Sequence, residues 1–390
     1  MNRKIAIVTG SRADYGLLTP LLRHIEEERR LQLQLLVTGM HLSHRFGNSV
    51  EKIIADGLAI AARVPISLEE DTPAAIARAL AEGITGFNQV LSNLNPDLLV
   101  VLGDRFEILA AVQAAMLCHV PVAHIHGGEI TEGAMDDAIR HSITKLSHLH
   151  FAATDDYRRR ILQLGEPADR VFNVGALAVD LVSSVTLLEQ NELEAALGFR
   201  LATQNFLVTY QPVTLDETAS QEGIINLLTA LDQFPDAHII FTRANADPGG
   251  AQINQAIDQY VAHHPERCAV FDVLGSQRYL SAARLADAVI GNSSSGLIEI
   301  PVLGTSTVNI GNRQTGRLRC ASVIDTGNDS PAIVAGIEQA LSPAFREQCA
   351  QQSCPYGDGG TASRIVEVLA GHPLDSLLCK PFNDLPAETS

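Results

Sequence analysis

The sequence predicts an α/β protein built from two doubly wound, Rossmann-like domains in tandem. Three observations carry that prediction. Short aliphatic and β-branched runs alternate with amphipathic stretches of helical period along nearly the whole chain. The alternation breaks once, in the acidic and purely helical stretch around Asp180–Leu201, and then restarts. Glycines, serines and charged residues gather where the apolar runs end, and parallel sheets bind their ligands at such strand ends.

Strands are predicted at Lys4–Gly10, Leu33–Gly39, Leu98–Asp104, Pro121–Gly127, Leu149–Thr154 and Val171–Gly175, each an apolar run of strand length. Tyr15–Glu28, Glu107–His119 and Asp136–His148 read as amphipathic helices between them. After the break, strands are predicted at Phe206–Gln211, His238–Thr242, Ala269–Leu274, Ala288–Gly291 and Thr305–Ile310. Strand–helix alternation of this kind calls for parallel sheets. The resulting division is a first domain over 1–178, a helical linker over 179–200 and a second domain over 201–370. A turn-rich tail over 371–390 is expected to fray at its end. Two such domains are expected to face one central cleft.

Composition removes several classes of function. The 390 residues carry 28 Lys and Arg against 45 Asp and Glu, a net charge of −17, which disfavours nucleic acid and anionic membranes as partners. No apolar run reaches membrane-spanning length. The N-terminus enters a strand at once, and the six cysteines form no CxxC pair, so a cytoplasmic, reducing location is expected. There is no GxxxxGK[ST] and no well-placed GxGxxG with a downstream acid, which removes ATPase and dinucleotide-binding readings.

The strand ends carry the candidate chemistry. In "VTGSRADYG" (Val8–Gly16), Ser11 and Arg12 either belong to an ordinary turn before a helix or offer donors to an anion at its N-terminus. In "VVLGDRFE", Asp104 and Arg105 follow a buried strand, either as a solvated ion pair or as a carboxylate that burial tunes for proton transfer. In "HIHGGE", His124 and His126 alternate on one predicted strand and so share a face, and Glu129 follows a Gly-Gly bend. Asp136 and Asp137 open the next helix, as caps or as acid–base groups, with Arg140 and His141 one turn on. His-x-His beside carboxylates also raises a metal-hydrolase reading, but no further ligand appears at a matching strand end. "TRANADPGG" reads as a turn. In "NSSSGLIE" and "NIGNRQTGR", Ser293, Ser294 and Arg313 outline a phosphate cradle, with Glu299 placed for sugar hydroxyls. The alternative is that the serines only cap a helix.

These motifs together, "GSRADYG", "GDRFE", "HIHGGE", "DDAIRHSITKLSH", "QPVT" and "GNSSSGLIE" with "NIGNRQTGR", resemble the hydrolysing UDP-N-acetylglucosamine 2-epimerases over roughly Lys4 to Val368. The resemblance implies a glycosyltransferase-B type fold. It implies elimination of UDP from UDP-GlcNAc to a 2-acetamidoglucal, followed by hydration to N-acetylmannosamine, with no metal or other cofactor. By motif, Asp104 and Asp136 match catalytic carboxylates. Arg12, Arg105, Ser293, Ser294 and Arg313 match nucleotide and diphosphate contacts, Glu299 the ribose carboxylate and Asn245 a cleft-lining residue. Two positions depart from the pattern. His126 stands where better-known members have glutamate, so Glu129 or His126 must cover that role. Gln211 stands where members have the histidine of "HPVT", and glutamine cannot titrate. The expected substrate is UDP-GlcNAc on a sialic-acid type route. The alternative is UDP-2,4-diacetamido-2,4,6-trideoxyglucose on the legionaminic-acid route. A UDP-sugar glycosyltransferase and an inactive nucleotide-sugar sensor are alternatives of other classes. A homodimer or homotetramer is expected.

Overall fold

The computed structural model describes residues 2–70, 72–131, 135–213, 217–244 and 249–384. Seven strands form the first sheet: β1 (Arg3–Thr9), β2 (Leu31–Thr38), β3 (Ile60–Val64), β4 (Leu98–Leu102), β5 (Val122–Ile125), β6 (Leu149–Ala152) and β7 (Val171–Asn173). Their order is β3-β2-β1-β4-β5-β6-β7, and every neighbouring pair is parallel. The second sheet contains β8 (Asn205–Thr209), β9 (His238–Thr242), β10 (Cys268–Phe271), β11 (Ala288–Gly291), β12 (Thr307–Ile310) and β13 (Val323–Thr326), in the order β10-β9-β8-β11-β12-β13, again all parallel.

Both sheets are doubly wound, and the strand sequences require it. On β1, Ile5 and Ile7 enter one apolar core while Ala6 and Val8 enter another, so neither face can meet water. On β8, Phe206 and Val208 face one core and Leu207 the other. Helices Arg12–Glu27 and Phe106–Leu117 supply apolar faces to the two sides of the first sheet. In each sheet the strand order reverses beside the first strand of its unit. The segments leaving β1 and β4, and likewise those leaving β8 and β11, cross to opposite sides there, which is where doubly wound sheets bind ligands.

Two strands escape the sequence reading. β3 and β13 each form one edge of their sheets and are only partly buried, and Arg63 and Asp325 interrupt their apolar runs.

The chain divides into two compact units, and the first unit takes back everything from Tyr356 onward, inside the span that the sequence assigns to the second domain. Helix Thr361–Gly371 buries Ala362, Ile365 and Leu369 in the first unit's core. Gly360 at its start has no side chain to cap with, and Asp180 supplies the cap instead, accepting from Thr361 N at 3.0 Å and Ala362 N at 2.6 Å. The end of the tail, where fraying is expected, lies outside the described residues, and the part before it is held by hydrogen bonds. Arg170 donates to Leu377 O at 2.9 Å and Cys379 O at 3.1 Å. Lys380 Nζ reaches Lys145 O, Ser147 O and the buried carboxylate of Glu166 at 2.6, 2.7 and 3.1 Å. The partners of both segments are remote in sequence, so local pattern could not assign them.

Candidate active site

In the first unit the turn after β1 is occupied largely by its own capping. Ser11 and Asp14 form a reciprocal capping box on helix Arg12–Glu27, and the Asp14 carboxylate accepts from Gly10 N at 3.1 Å and Ser11 N at 3.0 Å. Burial pushes the Asp14 carboxyl up to about 6. Arg12 is exposed, with Nη2 3.4 Å from Gly47 O. A side chain at Gly10 would press against Glu107, with its Cβ 2.9 Å from Oε1. Glu107 is fully buried and accepts from Arg105 Nε at 2.6 Å, which fixes the direction of Arg105.

Beside it, the ends of β4 and β5 and the start of helix Met135–Leu146 build a carboxylate and imidazole cluster around one buried cation. Arg140 is 2% exposed and donates to Asp104 Oδ2 and, at 3.0 Å, to Glu129 O. Its Nη1 lies 3.7 Å from Asp137 Oδ1. A buried guanidinium demands such partners, and in return it aims the Asp104 carboxylate. His126 is buried, and its Nδ1 lies 3.3 Å from Glu129 Oε1 while its Nε2 has no hydrogen-bond partner among the described residues.

One sequence expectation changes here. β5 ends at Ile125 and His126 takes φ +65°, so His124 and His126 do not share a strand face. His124 is spent on structure. Its Nε2 lies 2.8 Å from Gly103 O, a carbonyl that can only accept, so this nitrogen carries the proton and donates. Its Nδ1 meets Thr144 Oγ1 at 3.1 Å, and burial pushes the imidazole down to about 3. In the "DDAIRH" motif, Asp137 also reaches the cluster, through Arg140. Asp137 lies one helical turn from both Arg140 and His141, whereas Asp136 is exposed.

In the second unit the loops after β8 and β11 are tied together at the sheet's reversal point. The Asn292 side chain acts as a strand partner for Gln211. Its Oδ1 accepts from Gln211 N at 2.7 Å, and its Nδ2 donates to Gln211 O at 2.8 Å. Gln211 is 6% exposed. Gly291 has φ +142°, and a Cβ there would overlap the Thr209 carbonyl, so only glycine brings β11 this close to β8. The serines that follow divide their roles, and Ser293 Oγ accepts from Ser295 N, the first amide of helix Ser295–Val302, at 3.4 Å. Ser294 stands at the N-cap of helix Ser295–Val302 but makes no capping hydrogen bond. Ser295 Oγ donates to Ser293 Oγ at 3.1 Å and meets Tyr279 OH at 2.6 Å. Arg313 Nη1 and Gln314 Nε2 both donate to Asn292 O, at 3.1 and 2.9 Å, which sets the guanidinium beside the serine turn. Glu299 lies on the same helix, close enough to Tyr279 to help raise its phenol, which burial pushes up to about 12. Asn245 lies outside the described residues.

Comparison with known proteins decides the family. The family model for UDP-N-acetylglucosamine 2-epimerase matches residues 23–370. The chain belongs to that family. The chain is 40% identical to a GDP/UDP-N,N'-diacetylbacillosamine 2-epimerase (hydrolyzing) of Campylobacter jejuni, over 98% of this chain and 99% of that one. It is 34% identical to the UDP-N,N'-diacetylbacillosamine 2-epimerase (hydrolyzing) of Legionella pneumophila, over 98% of this chain and all of that one, 100%. Among solved structures, the UDP-GlcNAc 2-epimerase of Neisseria meningitidis bound to UDP-GlcNAc superposes with a TM-score of 0.81 at 18% identity, covering 94% of this chain and 99% of that chain. That likeness confirms the two Rossmann-like domains of glycosyltransferase-B type.

From the sequence, Asp137 and Arg140 stand beside Asp136 with neither assigned to the site, and Glu107 is given no role there. Arg140 and Asp137 carry a local signal, since they are three residues apart on one helix face. Glu107 carries none, because a glutamate at the start of helix Phe106–Leu117 reads as an ordinary first-turn acid.

Proposed function

We propose that this epimerase is of the hydrolysing type and takes a UDP-linked 2,4-diacetamido-2,4,6-trideoxyglucose in preference to UDP-GlcNAc. The observation that carries the reading is the near full-length identity to two enzymes named as hydrolysing diacetylbacillosamine 2-epimerases. It reverses the order of substrates expected from motifs, because the motifs serve UDP and the C1–C2 chemistry, which both sugars share.

The chemistry divides by group. Ser293 and Ser294, the amides at the start of helix Ser295–Val302, and Arg313 take the β-phosphate. They stabilise the charge that builds there as the C1–O bond breaks. Glu299 takes the ribose hydroxyls. By motif, Arg12 and Arg105 are further contacts to the diphosphate. Asp104, aimed by Arg140, removes the C2 proton. UDP leaves and a 2,3-unsaturated position is not needed, because the C1–C2 double bond of the glycal forms directly. Hydration with inversion then needs an acid that protonates C2 from the face opposite to the one Asp104 deprotonates, and a base for the water that adds at C1. His126 supplies one through Nε2, since Glu129 lies against Nδ1, and Asp136 is the candidate for the other. Gln211, which cannot titrate, positions the substrate by hydrogen bonding. The arrangement asks for no cofactor.

The test is acceptor-free turnover with both UDP-sugars, following UDP release and the free sugar. The expected result is kcat/KM at least tenfold higher for the diacetamido sugar, about 1.4 kcal/mol of discrimination. A preference for UDP-GlcNAc overturns the substrate assignment. Turnover only with a sugar acceptor points to a transferase, and binding without turnover to a sensor.

A further inference from the structure

Cys320 and Cys354 are 34 residues apart in sequence, and their sulfurs lie 3.5 Å apart in the second unit. Cys320 is buried at the end of the loop that carries Arg313, and its thiol also points at Leu297 O, 3.8 Å away on the helix that follows the serine turn. Cys354 is partly exposed and sits two residues before Tyr356, where the chain returns to the first unit. Two glutamine side chains hold the segments in register, and Gln348 Nε2 donates to Ala321 O at 3.1 Å. Gln352 Oε1 accepts from Ser322 N at 2.8 Å, and Gln352 Nε2 donates to Pro301 O at 3.1 Å. The remaining thiols are placed differently. Cys118 takes a hydrogen bond from Asn88 Nδ2 at 3.2 Å, Cys268 and Cys349 are packed in the apolar core, and Cys379 is exposed.

We propose that Cys320 and Cys354 form a reversible disulfide, a redox modification site that fixes the Arg313 loop to the chain's exit from the second unit. The sulfurs must close by only about 1.5 Å to reach the bonded distance of about 2.05 Å. A low-molecular-weight disulfide such as oxidised glutathione supplies the oxidising equivalents. The Cys354 thiolate attacks one of its sulfurs and releases one glutathione thiolate, leaving a mixed disulfide on Cys354. Cys320 loses its proton to the released thiolate and attacks Cys354 Sγ, and the second glutathione leaves. The balance is one protein disulfide formed and two molecules of reduced glutathione released. The order of attack follows from the surroundings. The Cys354 thiol beside it and burial hold Cys320 well above the ordinary thiol range, so it is the poor first nucleophile, while Cys354 is the one that solvent reaches.

The consequence for binding rests on the nucleotide site proposed above, whereas formation of the bond does not. The experiment treats the full-length protein with oxidised glutathione, maps it by mass spectrometry without reduction, and measures UDP affinity before and after. Trypsin places Cys320 in the peptide 320–346 and Cys354 in 347–364, and fragment spectra separate Cys354 from Cys349 within the second peptide. The expected result is a Cys320–Cys354 link that dithiothreitol reverses and that Cys354→Ser abolishes. UDP affinity should change by about fivefold or more in the wild-type protein and not in the variant. A glutathione adduct that stays on Cys354, or a link through Cys349, overturns the site. A complete link with unchanged UDP affinity overturns its regulatory consequence.

Discussion

Ser294 is where two accounts of one residue can be separated. A serine at an N-cap ordinarily accepts from a helix amide, and its loss then costs about 1 kcal/mol of stability. Ser294 occupies the cap position without making that bond. Ser294→Ala should therefore leave the UDP-free melting temperature unchanged while weakening UDP binding roughly fivefold, the worth of one hydrogen bond of about 1 kcal/mol. Arg313→Ala removes a charge-assisted contact and should weaken binding by roughly 10- to 100-fold. Calorimetric titration with UDP and a thermal melt of each variant check both. A lower melting temperature with unchanged UDP affinity would return the serines to a purely structural role. The serine turn was legible because three small hydroxyls at a strand end exceed what one cap needs. The cluster around Arg140 was less so. How far Asp136 and Asp137 each face inward depends on the helix's rotation against the sheet, and two adjacent aspartates look alike in sequence.

At the scale of elements, the central strands were legible because burial on both faces makes them continuous apolar runs. β3 and β13 were not, because Arg63 and Asp325 interrupt their short apolar runs. The tail shows the same limit. Lys380 reads as one charged residue in a turn-rich stretch, yet its ammonium lies 3.0 Å from Glu166 Oε2, with His150 Nε2 also 3.0 Å from that oxygen and Lys145 Nζ 2.6 Å from Oε1. Glu166 and His150 are fully buried. Burial works against the carboxylate, but hydrogen bonds from His150 and Lys145 and the charge of Lys380 outweigh it and hold Glu166 down to about 2. Removing one partner of a buried pair is costly because the other charge stays behind. Lys380→Met should destabilise the first unit by about 3 kcal/mol, read from urea unfolding. A change below about 0.5 kcal/mol would mean that the tail is only laid on the surface.

For the molecule as a whole, the buried histidines of the first unit set a pH dependence. Burial pushes His124 down to about 3 and His41 and His148 down to about 4, against 6.5 for an exposed imidazole. As pH falls below 6.5, the unfolded chain takes up protons at these positions that the folded chain refuses, so stability falls with pH from 6.5 to about 4. Asp14 works in the opposite sense. Its carboxyl, raised to about 6, favours the folded state as pH falls from 6 toward 3.8. Three groups outweigh one, and unfolding free energy should drop on the order of a few kcal/mol between pH 7 and pH 5. Urea unfolding across that range checks it, and a flat or rising profile would contradict the neutral assignment of these histidines. The two-domain architecture was legible from alternation alone, but the return of the chain to the first unit was not, because it is made by contacts such as Asp180 on Thr361.

The central claim is that UDP is eliminated across C1–C2 and water is then added back, with proton exchange at C2. The measurement that tests it most directly is NMR of the products formed from UDP-2,4-diacetamido-2,4,6-trideoxyglucose in deuterated water, without acceptor. The account predicts free UDP and a free sugar of inverted C2 configuration that carries deuterium at C2. A released sugar that keeps both its C2 proton and its C2 configuration would show simple hydrolysis and contradict it.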